Sequence, residues 1–314
     1  MEAVVVGAGG VGGYLGARLI EGGAKVRFLV RGERERQLAV DGLVVKSALG
    51  DFQAPVSTLT AGALEGVAPD VVVLACKEPS LAGALDAVAP LLTGRTRLLP
   101  LLNGVRHLET IAARFPQAPI LGGIAHGAVD ISADGVIKHL SPFMTVIAGP
   151  TDEGHDPVCD QFVGSLKAAG VDAHASHEIR QDMWNKFAFL AAFAGITSLM
   201  RASIGTILAT NGGQERITAL LDETRGVAVA EGYPPPDPLM DEYRQLLTQE
   251  GSTLTSSMLR DIRAGRRTEG THILGDMLAR ARRHGLATPI LAIAAAHVEA
   301  YERTLGMSGE TTRQ

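Results

Sequence analysis

The chain opens on an apolar run without polar alternation, Ala3-Val4-Val5-Val6, followed by glycines and then small and apolar residues to about Glu21. A short β-branched run of this kind predicts a strand buried on both faces. The glycines break it, a small-residue helix follows, and Gly22-Gly23 stops that helix. Residues 25–30 repeat the strand pattern, so the first thirty residues read strand, glycine turn, helix, strand. Asp70-Val-Val-Val-Leu-Ala-Cys76 and Arg97-Leu-Leu-Pro-Leu-Leu-Asn103 are further buried strands, with helical spacing over 80–92 between them. Residues 120–129 and 136–149 read as later strands joined by a turn at Ala133-Asp134-Gly135. Strands alternating with helices predict a parallel, doubly wound sheet.

Near residues 171–180 the period changes. Helical spacing dominates over 178–200, 212–231, 237–263, 268–284 and 288–305, with Pro234-Pro235-Pro236 as a clear break. The expected fold is an α/β Rossmann-like N-terminal domain over 1–175 and an all-α C-terminal domain over 176–314. Length supports two domains as well, since 314 residues exceed the usual size of one. The polar tail after Gly306 is expected to fray.

Composition narrows the chemistry. With 4% aromatic residues the core must be built from Ala, Val, Leu and Ile, and a formal net charge of -5 argues against a basic nucleic-acid binder. Cys76 and Cys159 cannot make a disulfide framework, and neither has zinc-ligand spacing, so no metal site is expected. The N-terminus lacks the basic and cleavage regions of a signal peptide, and the most apolar stretch, residues 187–200, is shorter than the roughly 20 residues of a membrane span. The reading is a cytoplasmic protein without nucleic-acid or membrane partners. An Ala-rich final helix could serve packing within the domain or a homodimer contact.

Gly7-Ala8-Gly9-Gly10-Val11-Gly12 matches G-x-G-x-x-G directly after a strand and at the start of a helix. The first glycine suits the tight turn, the second the approach of a pyrophosphate, and the third helix–strand packing. The helix N-terminus then offers N–H groups and a positive dipole end to phosphate. After the second strand, where NAD-binding proteins usually carry Asp or Glu, stands Arg31. A guanidinium there suits the 2′-phosphate of NADP(H). Arg34 and Arg36 read as a solvated loop. Lys77 and Asn103 follow strands at the edge where open α/β sheets bind ligands, although either position also suits an ordinary loop residue.

In the second half, Lys186 interrupts the apolar stretch Met183-Trp-Asn-Lys-Phe-Ala-Phe-Leu. Such a lysine either snorkels to water or donates a proton in a wet cleft. Glu269 is its candidate partner. His126 and His139 read as strand-surface residues, and His174-Ala-Ser-His177 as a surface turn.

Taken together, these pieces resemble the ketopantoate reductase (2-dehydropantoate 2-reductase) family. The matching residues are the glycine turn with Arg31, Lys77, Asn103-Gly104, His126-Gly-Ala128, Trp184-Asn-Lys186, Ser256-Ser-Met-Leu-Arg-Asp-Ile262 with Thr268-Glu269, and Ala281-Arg-Arg-His-Gly-Leu-Ala-Thr-Pro289. The resemblance implies NADPH reduction of a small 2-oxo acid, ketopantoate foremost, in a cleft between the two domains. It implies Lys186 as general acid, Glu269 as an orienting group, Ser257 as a substrate holder, Asn103 between cofactor and substrate, and Ala128 along the cofactor. The family carries asparagines four and eight residues after its lysine. Here those substrate-facing positions are Leu190 and Ala194, so the implied substrate is open: a lysine-based dehydrogenase of another 2-oxo or β-hydroxy acid fits too. A non-catalytic NADP-binding regulator is the alternative outside enzymology.

Overall fold

The computed structural model describes residues 1–152 and 154–311, with side chains as far as residue 305. Two compact units emerge, Met1–Asn103 with His107–Arg180, and Gly104–Arg106 with Gln181–Gln314.

The first unit begins with β1 (Glu2–Val6), α1 (Gly10–Glu21), β2 (Lys25–Leu29), α2 (Glu33–Asp41), β3 (Leu43–Lys46), β4 (Phe52–Ala54), β5 (Ser57–Leu59) and β6 (Val71–Leu74). It continues through α3 (Leu81–Val88), β7 (Arg97–Pro100), α4 (Arg106–Arg114), β8 (Leu121–His126), β9 (Val129–Ile131), β10 (Ile137–His139), β11 (Thr145–Pro150), α5 (Pro157–Ala168) and β12 (Asp172–Ala175). Five strands form one parallel sheet in the order β5-β2-β1-β6-β7. Val4 pairs with Arg27 on one side and Val72 on the other. The unbroken apolar runs are explained by the two faces. Ala3, Val5, Val71 and Val73 join one core cluster, whereas Val4, Val6, Val72 and Leu74 join another. The apolar residues of β1 and β6 are therefore withdrawn from water on both faces, and the doubly wound reading holds for this sheet.

Two long strands expected further on are each divided. Residues 120–129 fold as β8 and β9 with a break at Gly127-Ala128, and 136–149 as β10 and β11 with a break over 140–144. The breaks hold each other: the Ala128 amide donates to Ser141 Oγ (2.9 Å) and the Leu140 amide to the Ala128 carbonyl (2.7 Å). β9 and β10 form the expected hairpin in a sheet ordered β4-β3-β10-β9. β8 and β11 run antiparallel in a third sheet, β12-β11-β8.

The second unit is helical. Its elements are α6 (Ile179–Met200), whose first two residues belong to the first unit, then α7 (Ile204–Leu208), α8 (Gly213–Ala230), α9 (Asp237–Leu247), α10 (Ser257–Arg263), α11 (Asp276–Arg283) and α12 (Pro289–Thr311). The helix expected over 237–263 is two helices. Gly251 takes a positive φ, and Ser256 caps α10 by accepting from the Leu259 amide. A π-helical turn, Thr271–Gly275, precedes α11. The helix over 288–305 extends to Thr311, and the tail beyond that lies outside the described residues. Among the described residues, no helix is long and apolar enough to cross a membrane.

Candidate active site

The parallel sheet brings four predicted positions to one edge. The glycine turn follows β1, Arg31 follows β2 by two residues, Lys77 follows β6 by three, and Asn103 follows β7 by three. Because β2, β1, β6 and β7 are neighbours and parallel, all four stand at the carboxyl ends of adjacent strands, where open α/β sheets place ligands.

The turn itself is built by sterics. Gly7 has φ +90°, which L side chains avoid, and its amide donates to the Leu29 carbonyl (3.0 Å). A Cβ on Gly12 would lie 2.1 Å from the Gly7 carbonyl oxygen and 2.9 Å from Ala75 Cβ, so only glycine permits this packing. A Cβ on Gly9 would meet nothing within 4 Å. Gly9 is also the N-cap of α1 and offers no side chain to the first amides of that helix. Open space over helix N–H groups without a capping side chain suits a phosphate. Among the remaining turn residues, Ala8 is buried, while Gly10 and Val11 are half-buried at the helix start.

Arg31 and Lys77 are exposed, and Asn103 is half-buried. Ala128 is half-buried, with both main-chain polar groups engaged by residues 140–141. Two expectations are corrected here. Arg34 is not a solvated loop residue: it is half-buried, and its Nε donates to the Ala8 carbonyl (2.8 Å). Neither does His139 lie on a strand surface. It is buried against Tyr14, with ring centroids 4.8 Å apart, and it bonds Ser47 Oγ (2.9 Å), Ser141 Oγ (3.1 Å) and the Phe143 carbonyl (3.0 Å). The Arg34–Ala8 bond and the packing of His139 on Tyr14 and Ser47 join residues far apart in sequence, so no local signal announces them. Arg36 does behave as a surface residue, paired with Glu33.

In the helical unit, Lys186 is half-buried on α6. Desolvation by the surrounding protein lowers its pKa to about 8, against a smaller opposing pull from the charge of Glu269. An ammonium poised near neutrality matches the needs of a general acid better than an ordinary lysine does. Neighbouring residues fix its helix. Trp184 is buried and stacks on Tyr233 (5.6 Å, 12°), with the Arg280 guanidinium 5.2 Å from its ring centre. Arg280 is itself held by Asp276 (2.9 Å) and Glu231 (2.7 Å).

Glu269 is half-buried and stands two residues before the π turn. Thr268, its neighbour, bonds the Glu302 carboxylate and accepts the Gly270 amide (3.0 Å). Buried His272 on the π turn stands where its Nε2 would be 3.3 Å from a Cβ on Gly104, whose φ is +80°. π turns often mark functional positions, and this one begins two residues after Glu269. Sequence pattern alone did not point to it.

Leu190 and Ala194 stand one and two turns along α6 from Lys186; Leu190 is half-buried and Ala194 fully buried. Ser257 is exposed, whereas its neighbour Ser256 is buried and accepts a bond from Thr197 Oγ1 of α6 (2.8 Å). Among the described residues, no group of three His, Cys, Asp or Glu could hold a metal ion.

A Rossmann-type sheet with this turn, in one chain with a lysine-bearing helical unit, defines an oxidoreductase class, and comparison with known proteins is specific. Residues 3–152 match the family model described as Ketopantoate reductase PanE/ApbA, and residues 178–302 match its C-terminal counterpart. The chain belongs to the ketopantoate reductase family of oxidoreductases. It is 35% identical to the uncharacterized oxidoreductase YkpB of Bacillus subtilis, over 96% of this chain and 99% of that one. It is 28% identical to a 2-dehydropantoate 2-reductase of Mesorhizobium japonicum, over 86% and 88% of the two chains. Among solved structures, the 2-dehydropantoate 2-reductase of Methylococcus capsulatus superposes with TM-score 0.87 at 26% identity, over 97% and 98% of the chains. A D-mandelate dehydrogenase solved with NADH and anilino(oxo)acetate shares the fold, with TM-score 0.85 at 22% identity over 98% and 100%.

Proposed function

We propose that the chain is an NADPH-dependent reductase of a small 2-oxo acid, with ketopantoate as the leading substrate and Lys186 as the general acid. The observation that carries this reading is Lys186: a half-buried ammonium with its pKa drawn down to about 8 beside the charge of Glu269. The name borne by the Mesorhizobium japonicum and Methylococcus capsulatus relatives supports the substrate class.

The fit of a nicotinamide dinucleotide rests on the turn. Open space at Gly9 and the uncapped amides of α1 suit its pyrophosphate, and Arg31 suits a 2′-phosphate. Asn103, Lys77 and Ala128 complete the cofactor-facing set. When bound, the nicotinamide supplies a hydride to the substrate carbonyl carbon. Lys186 supplies the proton to the carbonyl oxygen as negative charge grows there, and its ammonium stabilises that charge beforehand. Glu269 keeps the lysine charged against the desolvation that favours its neutral form. Ser257 meets the acid end of the substrate by a hydroxyl contact. The two units carry separate tasks in this scheme, cofactor in the first and proton in the second.

A second reading, reduction of a different 2-oxo acid, is favoured by Leu190 and Ala194. Two apolar side chains at the helical spacing of Lys186 offer no amide to a hydroxylated substrate, and they suit an apolar one. The test is oxidation of NADPH and of NADH with a panel of 2-oxo acids that includes ketopantoate and aryl-substituted members. Turnover with ketopantoate and NADPH, lost by at least a hundredfold in Lys186→Ala, is expected under the leading reading. Turnover confined to apolar acids selects the second. Nucleotide binding without turnover on any acid would point to a regulator, and a preference for NADH that survives Arg31→Ala would remove Arg31 from cofactor choice.

A further inference from the structure

Arg34 lies at the start of α2, in a run of alternating charges that gives no sign of a buried role. Its guanidinium ties together two segments distant in sequence. Nε donates to the Ala8 carbonyl inside the glycine turn (2.8 Å), and Nη1 donates to the Gly135 carbonyl at the tip of the β9–β10 hairpin (2.8 Å) and to Gln37 (3.3 Å). The hairpin is shaped to receive it. Gly135 has φ +82°, and a Cβ there would stand 2.6 Å from Nη1.

The acceptors are all neutral, and Nη2 is buried with no hydrogen-bond partner. Burial pulls the Arg34 pKa below its ordinary value, yet a guanidinium stays protonated at any physiological pH. Asp41 and Asp134 line the same surface hollow, and Ser132 Oγ donates to Asp134 (2.5 Å). Neither forms an ion pair with Arg34 among the described residues. The result is a fixed positive charge, half-withdrawn from water, bonded to the main chain of a turn whose shape suits an anion. A charge so placed acts through lower dielectric than a surface arginine and needs no reorganisation when a ligand arrives.

The geometry points to Arg34 as a positioning residue for dinucleotide phosphate. It holds the Ala8 carbonyl and thereby the direction of the turn's amides, and it adds a permanent cation behind them. This rests on the dinucleotide-binding reading above. It differs from the role given to Arg31, because it concerns the turn common to both nicotinamide dinucleotides and not the 2′-phosphate.

The test uses the full chain with Arg34→Gln and Arg34→Lys. Dissociation constants for NADPH and for NADH are measured by nucleotide fluorescence, and amide hydrogen exchange over residues 8–13 and 133–137 is measured without nucleotide. Arg34→Gln is expected to weaken both nucleotides by about tenfold or more and to equal extent, leaving their ratio unchanged. Arg34→Lys keeps the charge without the fork, so it recovers part of the affinity. Exchange in both segments should rise in both variants. Unchanged affinities in the folded lysine variant and the glutamine variant would overturn the proposal. A loss confined to NADPH would overturn it as well, making Arg34 a reader of the 2′-phosphate. Wild-type protein that binds neither nucleotide overturns the functional reading itself, and the exchange measurement then shows separately whether the brace exists.

Discussion

Replacing Lys186 by methionine should stabilise the helical unit while abolishing turnover. A lysine pKa lowered from 10.5 to about 8 means that the folded protein disfavours the ammonium by about 3 kcal/mol relative to the unfolded chain. Methionine has similar length and no charge, so little cavity forms. The lowered pKa is already net of the opposing pull of Glu269, so losing the pair needs no further subtraction. The expected net gain at pH 7 is therefore about 2–3 kcal/mol. The sign of its pH dependence follows from linkage. Below pH 8 the ammonium is carried in both states and the full penalty is present. Between pH 8 and 10.5 the folded lysine is neutral while the unfolded one still binds a proton, so wild-type stability climbs and the gap closes. Urea unfolding at pH 7 and pH 9.5 reads this directly through Trp184, the chain's one tryptophan, which sits on the same helix. A methionine variant less stable than wild type at pH 7, or a gap that does not shrink at pH 9.5, would refute the account of Lys186 as a strained functional charge.

The glycine turn separates folding from binding. Gly9→Ala should leave the melting temperature of the free protein unchanged, because its Cβ meets nothing, yet weaken nucleotide binding at least tenfold in a fluorescence titration. Gly12→Ala should cost both, lowering stability by about 2 kcal/mol or more, because its Cβ would overlap the Gly7 carbonyl. Arg280→Ala leaves Asp276 and Glu231 short of their buried cation and removes the charge over Trp184, so a loss of about 3–5 kcal/mol and a shifted tryptophan emission are expected on urea unfolding.

The elements legible from sequence are those whose signal is local. β1 and β6 carry continuous apolar runs because both sheet faces are covered, and the glycine turn is marked because its glycines recur at a fixed spacing directly after β1. The break at Gly127-Ala128 is set instead by bonds to residues 140 and 141, which no window of the strand pattern contains. The division of α9 from α10 hides for a different reason. Apolar residues continue through Leu247, Leu254 and Met258, while the capping hydroxyl of Ser256 is one of two adjacent serines of which only one faces inward.

The candidate site divides along the same line. Lys186 stands out because a charge in an apolar helix is a local contradiction, and the strand-end positions stand out because topology delivers them to one edge. Arg34 shows the converse. Its two neighbours in the charge run, Arg31 and Arg36, are exposed, and nothing in residues 31–37 distinguishes the one whose acceptors lie 26 and 101 residues away. Leu190 and Ala194 fall between these cases. Their spacing from Lys186 is plain in the sequence, but what they do depends on the substrate that meets that face of α6. If the substrate carries hydroxyl groups there, two apolar side chains leave them unpaired and cost affinity. If it carries an apolar group, the same side chains are its binding surface. Introducing asparagine at position 190, the half-buried one, therefore discriminates between them: Leu190→Asn raises kcat/KM for hydroxylated acids and lowers it for apolar ones if that face meets the substrate, and changes neither if it does not.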